Sequence, residues 1–424
     1  MNIERTQLAN GVRIVTSRMD HVRSASLIIT FAAGARHEVD EHAGVSHFLE
    51  HMVFKGTSKR PDPITITRDI EEVGGILNAG TSRENTNYWV KVPSVHLESS
   101  FDVLADMLLN STFRQEEMDK ERWVIFEEIH GIYDTPDDYI HDMIDDLVWD
   151  GNEVGRPIIG TEATIEAMSR ENVINYMQGN YLPNRLVISA AGHVDHEHVV
   201  RLAERTFGQM PAGPPPSFKP CTVTQNAAKL QVLNRTTEEA HICLGLPAIS
   251  YKDERRQVQD TIDAVLSSGM SSRLFEEIRE RRGLAYAVFS YFRGYQDVGQ
   301  GVVYAGTDPD KVNETINAVI DELWKLRDQP IPAEELNRTK ELRKGRISMG
   351  LEDSRAVAGW IGSQELLFEE ILTPDQVMEE IDQVTSEQVQ ELANELVQPE
   401  RLSLAVIGPF PEEDRFRSLL DSPR

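Results

Sequence analysis

The sequence predicts an α+β fold of two homologous domains, each a mostly antiparallel β-sheet packed with helices. Three observations support this prediction: the chain length, the mixture of strand and helix patterns, and one internal repeat. A chain of 424 residues is long enough for two to three domains. The strand patterns at residues 11–17 and 24–34 follow each other without an intervening helix, which favours hairpins over parallel crossover units.

Individual elements follow from the spacing of apolar residues. Alternating apolar positions predict strands, whereas apolar positions three or four residues apart predict helices. In the first half, strands are predicted at 11–17, 24–34 and 85–93, and helices at 43–54, 98–110 and 116–132. In the second half, patterns of the same style recur at 240–249, 284–295 and 299–307.

The internal repeat joins residues 168–192 to residues 384–408 without a gap. Identical residues recur at a constant offset of 216 positions, as from Glu171 to Glu387 and from Gly192 to Gly408. Each copy is predicted to form a helix, a proline-marked turn and a strand. Because the offset is close to half the chain and "GQMPAGPPPSFKP" has the composition of a linker, we predict an N-terminal domain at 1–207, a linker at 208–225 and a homologous C-terminal domain at 226–424.

Composition excludes several classes of function. The 70 acidic residues outnumber the 43 basic ones and give a net charge of −27, so nucleic acid is not an expected partner. An acidic surface attracts cationic ligands such as basic peptides, although the same charges can serve solubility alone. Cys221 and Cys243 are too few for a disulfide framework or a thiolate metal cluster. Without a long apolar run or a secretory signal, the chain is expected to be cytoplasmic and free of membranes.

The segment "HFLEH" carries the first candidate site. His47 and His51 are four residues apart, so on a helix they share one face, about 6 Å apart along the axis. Glu50 lies beside this pair, about 100° from His51 around the helix. Two imidazoles at this spacing can bind one zinc ion, and a neighbouring carboxylate can accept a proton from water. The alternative, on these five residues alone, is an amphipathic helix with a polar solvent face.

A zinc site needs at least a third protein ligand. The segment "ERWVIFEEIHGIYD" offers Glu121, Glu127 and Glu128. Glu121 and Glu128 are seven residues apart and share one helix face to within about 20°, whereas Glu127 points about 100° away from Glu128. The spacing therefore favours Glu121 and Glu128 acting together, one as ligand and one behind it. An ordinary exposed acidic face is the alternative.

These two segments, "GGILNAGTSRENTNYW" at residues 74–89, and the two-half organisation together resemble the pitrilysin-type zinc peptidases. That family includes insulin-degrading enzyme, the mitochondrial processing peptidase and bacterial processing-peptidase-like proteins. The resemblance covers nearly the whole chain and is strongest to the bacterial short-chain members. It implies a zinc metalloendopeptidase with one zinc ion per chain, which hydrolyses short or unfolded peptides. It also implies a half-shell of two domains, and pairing with an identical or related chain into an enclosed chamber.

The resemblance also implies roles for individual residues. His47, His51 and Glu128 would be the zinc ligands, Glu50 the general base, and Glu121 the carboxylate that supports the site. All five match the motifs of the family in order and spacing.

Substrate contacts are implied for both halves of the chain. Asn78 and Ala79 in "LNAGT" would bind the peptide backbone as an added β-strand. Arg279 and Tyr286 in "RERRGLAY" would reach the substrate near the zinc, where a cation and a phenol can stabilise an oxyanion. A surface helix charge and a half-buried strand residue are the alternatives. Gly80 departs from the family, whose members often have an aromatic residue there, so the resemblance implies no side-chain preference for this site.

Two other classes of function are open at this level. One is a non-catalytic or regulatory peptide-binding subunit of a heteromeric peptidase, although such subunits usually lose part of the H-x-x-E-H motif. The other is a purely structural zinc site, which would need a fourth protein ligand. Five further histidines are expected to take no part: His193, His196 and His198 as a solvated loop, and His42 and His130 because they lack helical register with the ligands.

Overall fold

The structure is a computed structural model that describes residues 1–214, 219–222, 225–368 and 370–421. Residue 421 is described by its backbone only. The predicted linker 208–225 therefore lies partly outside the described residues, at 215–218 and 223–224. Within the part of the chain that is described, no helix combines the length and apolar character needed to cross a membrane.

Eleven strands are formed by the described residues, and they divide into an N-terminal and a C-terminal sheet. The first sheet contains β1 (Ile3–Gln7), β2 (Arg13–Arg18), β3 (Ser24–Phe31), β4 (Ile76–Thr81), β5 (Thr86–Pro93) and β6 (Leu186–Gly192). The second contains β7 (Lys229–Asn234), β8 (Ala240–Ala248), β9 (Ala285–Gly294), β10 (Gly299–Thr307) and β11 (Ser403–Gly408).

The helices that precede the second sheet are α1 (Val45–Val53), α2 (Pro63–Glu71), α3 (Leu97–Asn110), α4 (Gln115–Asp134), α5 (Pro136–Trp149), α6 (Glu162–Ala167), α7 (Arg170–Asn180) and α8 (His196–Phe207). Those that follow are α9 (Arg256–Ser267), α10 (Val312–Asp328), α11 (Ala333–Gly350), α12 (Ser354–Leu367), α13 (Pro374–Gln383), α14 (Ser386–Leu396) and α15 (Asp414–Asp421). A π-helical segment, Phe275–Arg281, lies before β9.

Both sheets follow the same plan. The strand orders are β1-β2-β6-β3-β5-β4 and β7-β11-β8-β10-β9. Only β2 with β6 and β7 with β11 pair in parallel among the described strands, and all other neighbours are antiparallel. The repeated segment supplies α7 with β6 in one sheet and α14 with β11 in the other, each ending at the predicted glycine. The predicted α+β class with two mostly antiparallel sheets is confirmed.

The chain folds into two compact units that are not continuous in sequence. Unit 1 contains residues 1–130, 156–219 and 348–374, and unit 2 contains residues 131–155, 220–347 and 375–424. The predicted domains at 1–207 and 226–424 were drawn from the sequence repeat. The packing units differ from them, because unit 1 also contains residues 348–374 and unit 2 also contains residues 131–155.

One helix in each unit comes from the opposite half of the chain. In unit 2, α5 packs on β8 and β11, and Gly245 permits this contact because a Cβ there would lie 2.8 Å from Val148. In unit 1, α12 packs on β6 and β3, and a Cβ at Gly362 would lie 2.4 Å from the Ser189 hydroxyl. Each helix turns an apolar stripe toward its sheet, as periodicity of three to four residues requires.

Candidate metal centre

Helix α1 places the H-x-x-E-H motif on one side of a buried element. Val45, Phe48, Leu49 and Met52 recur at helical spacing and are buried, whereas His47, Glu50 and His51 are partly exposed. The helix begins after Gly44, whose φ of +92° lies in the left-handed region that favours glycine. The apolar stripe therefore fixes which way the three polar side chains point.

Glu38 anchors the N-terminus of this helix. Its carboxylate accepts hydrogen bonds from Gly44 N and Ser46 N, both at 2.8 Å, and from the Ser46 hydroxyl. A carboxylate at a helix N-terminus satisfies orphan N–H groups and interacts favourably with the helix dipole. Burial nevertheless dominates, and it raises the pKa of Glu38 to about 7.

Three side chains converge at the exposed end of the motif. Nε2 of His47 lies 3.9 Å from Oε2 of Glu128, and Nε2 of His51 lies 3.8 Å from the same oxygen. The ligand atoms of these three residues all lie within 4.8 Å of one another. Glu128 is on α4, and Glu127 beside it is exposed. The structure therefore brings together the three residues predicted to bind metal.

The donor set fits a zinc ion. Tetrahedral zinc with bonds of about 2.1 Å separates its ligand atoms by roughly 3.4 Å, close to the distances from each histidine to Glu128. Burial, followed by the nearby His51, lowers the pKa of His47 to about 4, so His47 is neutral near pH 7 and its lone pair is available. Nδ1 of His47 is buried and has no hydrogen-bond partner among the described residues.

Glu121 supports His51 from the side away from Glu128. Oε1 of Glu121 lies 2.7 Å from Nδ1 of His51, and Oε2 lies 2.6 Å from Nζ of Lys55. Burial opposes charge on both partners, but the hydrogen bonds and the neighbouring charges together outweigh it, so the pKa of His51 is raised and that of Glu121 is lowered. With Nδ1 held by Glu121, Nε2 of His51 is directed toward Glu128, as an oriented metal ligand requires.

Glu50 is tied to the neighbouring edge strand. The Thr81 hydroxyl on β4 donates to Oε2 of Glu50 at 2.5 Å. Burial raises the pKa of Glu50, and the Thr81 hydrogen bond acts in the opposite direction. The carboxylate is thus held beside the two histidines without itself belonging to the group of three converging ligand atoms.

The predicted substrate residues Asn78 and Ala79 lie on β4, which is the edge strand of the first sheet. Ala79 N donates to the Asn78 side-chain oxygen at 2.8 Å. An unpaired edge is the geometry that accepts an added strand.

Arg279 and Tyr286 lie together in unit 2. Arg279 Nη1 donates to the Tyr286 carbonyl at 3.0 Å, and its guanidinium lies 4.3 Å from the centre of the Tyr286 ring. The Tyr286 side chain is largely exposed at 76%. The other predicted site residues all lie in unit 1.

Sequence reasoning missed three residues of the centre, namely Glu38, Lys55 and Thr81. Lys55 lies two residues beyond the end of α1, so helical spacing from His51 does not indicate it. Nothing local in the sequence indicated Glu38 or Thr81, because both act through tertiary contacts.

The expectation of a solvated histidine loop at 193–198 is wrong for His196. This residue begins α8, is buried, and hydrogen-bonds to the hydroxyls of Thr6 and Thr16 at 2.8 and 2.9 Å. A ring with both nitrogens bound to hydroxyls is a satisfied core residue. His42 and His130 have their own partners, Asn172 and Glu162, at 2.8 and 2.6 Å.

Comparison with known proteins identifies related sequences over nearly the whole chain. The family model "Insulinase (Peptidase family M16)" matches residues 13–162, and the model "Peptidase M16 inactive domain" matches residues 167–343. An uncharacterized zinc protease of Streptomyces coelicolor is 37% identical over 98% of this chain and 91% of its own. The uncharacterized zinc protease YmxG of Bacillus subtilis is 37% identical over 96% of this chain and 98% of its own.

Solved structures share the fold at low sequence identity. A protease from Helicobacter pylori superposes with a TM-score of 0.89 at 21% identity, covering 96% of this chain and 99% of its own. A peptidase M16 inactive domain from Pseudomonas fluorescens superposes with a TM-score of 0.90 at 17% identity, covering 97% of this chain and 100% of its own.

Proposed function

We propose that this chain, which belongs to the insulinase family of peptidases (M16), is a zinc-dependent endopeptidase that cleaves short or unfolded peptides. The observation that carries the proposal is the convergence of His47, His51 and Glu128 within 4.8 Å, with the Glu50 carboxylate beside them on the same helix. Two histidines, one carboxylate and an open position form the ligand set of a catalytic rather than a structural zinc site.

The chain's own residues supply the acid–base part of the reaction. Zinc, when bound, acts as a Lewis acid toward water and the scissile carbonyl. Glu50 accepts the proton of the attacking water at its carboxylate and delivers it to the leaving amine. Its raised pKa suits this exchange because a base must be able to hold the proton between the two steps. Thr81 keeps the carboxylate in place.

The edge strand β4 is proposed to bind the substrate as an additional strand. Main-chain hydrogen bonds hold an extended peptide largely without regard to its sequence. Thr81 lies on this same strand and contacts Glu50, so a peptide paired with β4 runs beside the catalytic base. Folded proteins, whose backbone amides are already paired, cannot add to the edge in this way.

Arg279 and Tyr286 are proposed to bind the peptide carbonyl or the developing oxyanion from the second half of the chain. Their support is the pairing of an exposed phenol with an arginine stacked on its ring. We further propose that two identical or related chains pair to enclose the substrate, and native mass spectrometry tests this. Dimers are expected at working concentration, and a monomer alone would contradict pairing.

Cleavage of quenched-fluorescence peptides by wild type and Glu50→Gln tests the catalytic proposal. The glutamine keeps the shape of the side chain but cannot accept the proton, so kcat is expected to fall about 10²- to 10⁴-fold while zinc content is unchanged. Glu116→Gln is the matched control, because Glu116 is exposed on α4. Equal activity of wild type and Glu50→Gln contradicts the mechanism.

A zinc-loaded wild type that cleaves no peptide would favour the alternative of a non-catalytic peptide-binding subunit. The inactive-domain model matches residues 167–343 and so begins well after the H-x-x-E-H motif at residues 47–51, which lies within the match to the insulinase model. A structural zinc site is not supported, since the described residues form one group of three possible ligands without a fourth.

A further inference from the structure

A cavity of about 330 Å³ lies in unit 1 between the N-terminal sheet and α12. Side chains of three neighbouring strands form its floor, with Ile28 and Thr30 on β3, Asn87 and Trp89 on β5, and Ser189 on β6. Helix α12 forms the opposite wall with residues between 355 and 367. A volume of this size is at the lower end of the range for small-molecule sites.

The cavity is separate from the metal centre. In the register of the sheet, Thr81 on β4 is opposite Thr86 on β5, and the Thr81 hydroxyl contacts Glu50. Asn87 is the next residue along β5 and points to the other face of the sheet, because successive side chains of a strand alternate. The cavity and the metal centre therefore lie on opposite faces of the sheet, and none of the residues that line the cavity belongs to β4.

A missing side chain keeps the cavity open. Gly359 lies in the middle of α12, where glycine is unfavourable relative to alanine. A Cβ built there would have one neighbour outside the helix backbone, Ile28 Cδ1, at the ordinary contact distance of 3.9 Å. Packing therefore does not require glycine here, in contrast to Gly362, whose Cβ would lie 2.4 Å from the Ser189 hydroxyl. The bare position at Gly359 leaves room for a ligand.

The closed end of the cavity holds an unsatisfied hydroxyl. Ser189 is 1% exposed, and its hydroxyl has no hydrogen-bond partner among the described residues. Removing a hydroxyl from water without replacing its hydrogen bond destabilises a fold. A polar group of a ligand at this position restores the bond, since a serine hydroxyl can both donate and accept.

The open end of the cavity carries one cation. Arg355 is exposed and is the single charged residue among those that line the cavity. Its guanidinium lies 4.1 Å from the centre of the Trp89 ring and forms no ion pair with a carboxylate of the described residues. Asp353, the nearest carboxylate in sequence, is paired with Lys91 instead. Stacking uses the face of the guanidinium and leaves its N–H edge free to bind a carboxylate with two hydrogen bonds.

The two ends set the length of the ligand. Trp89, which holds Arg355, and Ser189 are both opposite Ile28 on β3, so they are two strand spacings, or about 10 Å, apart along the sheet. One aromatic ring with polar groups at its opposite ends matches this span. Ile28, Leu366 and the Trp89 ring offer apolar contacts to the middle of such a ligand.

We propose that this cavity binds a small aromatic carboxylate, with the carboxylate on Arg355 and a polar group at the far end of the ring on Ser189. The site goes beyond the proposed peptidase function and does not depend on it. The net charge of −27 disfavours anions in general, so binding relies on a guanidinium that has no carboxylate partner. A free aromatic acid and the C-terminal tyrosine of a cleaved peptide share this chemistry.

Isothermal titration calorimetry with the full chain tests the site. Phenylacetate, 4-hydroxyphenylacetamide and tyramine each differ from 4-hydroxyphenylacetate in one polar group. Wild type is expected to bind 4-hydroxyphenylacetate with a Kd below about 1 mM, and the neutral amide and the cationic tyramine at least about tenfold more weakly. N-acetyltyrosine represents the C-terminus of a peptide. Tighter binding of N-acetyltyrosine than of 4-hydroxyphenylacetate supports the site with a cleaved peptide as the source of the ligand, and weaker binding supports it with a free acid.

Variants assign the binding to the cavity. Arg355→Ala should lower the affinity for 4-hydroxyphenylacetate at least about tenfold, and Gly359→Leu should abolish binding because its side chain fills the cavity. Ser189→Ala should weaken binding of 4-hydroxyphenylacetate but not of phenylacetate, which has no polar group to meet the hydroxyl. Arg327→Ala is the matched control, because Arg327 also stacks on a tryptophan, Trp324, at 4.2 Å and lies outside the cavity.

Three results overturn the site. The first is that none of these compounds binds wild type at concentrations up to about 10 mM. The second is equal affinity of wild type and Arg355→Ala for 4-hydroxyphenylacetate, which is decisive even if Gly359→Leu fails to fold. The third is binding that is lost when a chelator removes zinc, because a carboxylate can also bind a metal ion. All three leave the proposed peptidase function in place, since peptide cleavage is measured separately.

Discussion

Glu121 Oε1 lies 2.7 Å from Nδ1 of His51, on the opposite side of the imidazole from Glu128. This one hydrogen bond fixes the orientation of the ring and the nitrogen that is free for metal. Two acidic residues seven apart on α4 thus have different roles. Glu128 faces the histidine pair, and Glu121 holds His51 from behind. The arrangement makes the metal centre depend on a residue that does not join the converging ligand atoms.

Replacement of Glu121 should therefore weaken zinc binding without removing a ligand. Glu121→Gln is expected to lower zinc affinity about 10- to 100-fold, because the amide holds His51 more weakly than a carboxylate does. Competition with a fluorescent chelator measures the dissociation constant. Glu116→Gln, exposed on the same helix, is the control. Unchanged affinity in Glu121→Gln would mean that His51 is oriented by its surroundings instead.

Much of this centre follows from the sequence, and the reason is local geometry. His47, Glu50 and His51 are related by one helix, and Glu121 and Glu128 by another, so helical periodicity alone groups each set. Periodicity does not show which two helices meet, and the choice of Glu128 rested on resemblance to a family. The contacts of Glu38 and Thr81 were not predictable, because their partners lie six to 31 residues away, outside any regular spacing, and are set by packing.

The same limit applies to the fold. The repeat and the strand patterns indicated two similar sheets, and the described strands confirm them. Helices α5 and α12 each pack on the sheet of the opposite half, which no local pattern indicates. An apolar stripe shows that a helix is buried but not against which sheet.

The contact between α5 and β8 predicts a stability effect at Gly245. A Cβ there would lie 2.8 Å from Val148 and 3.0 Å from Ile144, so Gly245→Ala should destabilise unit 2 by about 1–3 kcal/mol through overpacking. Gly345→Ala is the opposite case: a Cβ meets nothing within 4 Å inside α11, and it should stabilise by about 1 kcal/mol. Thermal unfolding of both variants measures the effects, and equal melting temperatures would contradict the contact.

The raised pKa of Glu38 predicts that the stability of the protein depends on pH. Its pKa in the folded protein is about 7, above the value of 4.5 for an exposed glutamate. Between these values the folded state holds a proton on Glu38 that the unfolded state has lost. The contribution of protonated Glu38 to the free energy of unfolding is therefore fully present below pH 4.5 and is lost as the pH rises toward 7. The loss is on the order of 3 kcal/mol.

The measurement is the melting temperature of wild type and Glu38→Gln across this range of pH. Because the glutamine does not titrate, the wild type should lose stability relative to the variant as the pH rises from 4.5 to 7. Glu116→Gln, at an exposed position of α4, serves as a control for charge removal. Parallel curves for wild type and Glu38→Gln would show that Glu38 titrates as an exposed carboxylate does.

Tyr286 provides a prediction on the second half of the chain. Tyr286→Phe removes only the hydroxyl of an exposed side chain, so kcat is expected to fall about 10²- to 10³-fold if that hydroxyl stabilises an oxyanion, with stability unchanged. Tyr133→Phe is a matched control, because Arg235 donates to the Tyr133 carbonyl and stacks on its ring in the same way. Equal kinetics of the two variants would place Tyr286 outside the reaction.

The most direct test of the central claim is the amount of zinc bound per chain. Purified wild type, His51→Ala, Glu128→Gln and Glu127→Gln are equilibrated with zinc and a weak chelator, and metal is determined by mass spectrometry. We predict one zinc per chain in wild type and in Glu127→Gln, whose mutated side chain is exposed, a large loss in Glu128→Gln and none bound in His51→Ala. Wild type without zinc, or equal zinc in wild type and Glu128→Gln, would contradict the proposed centre.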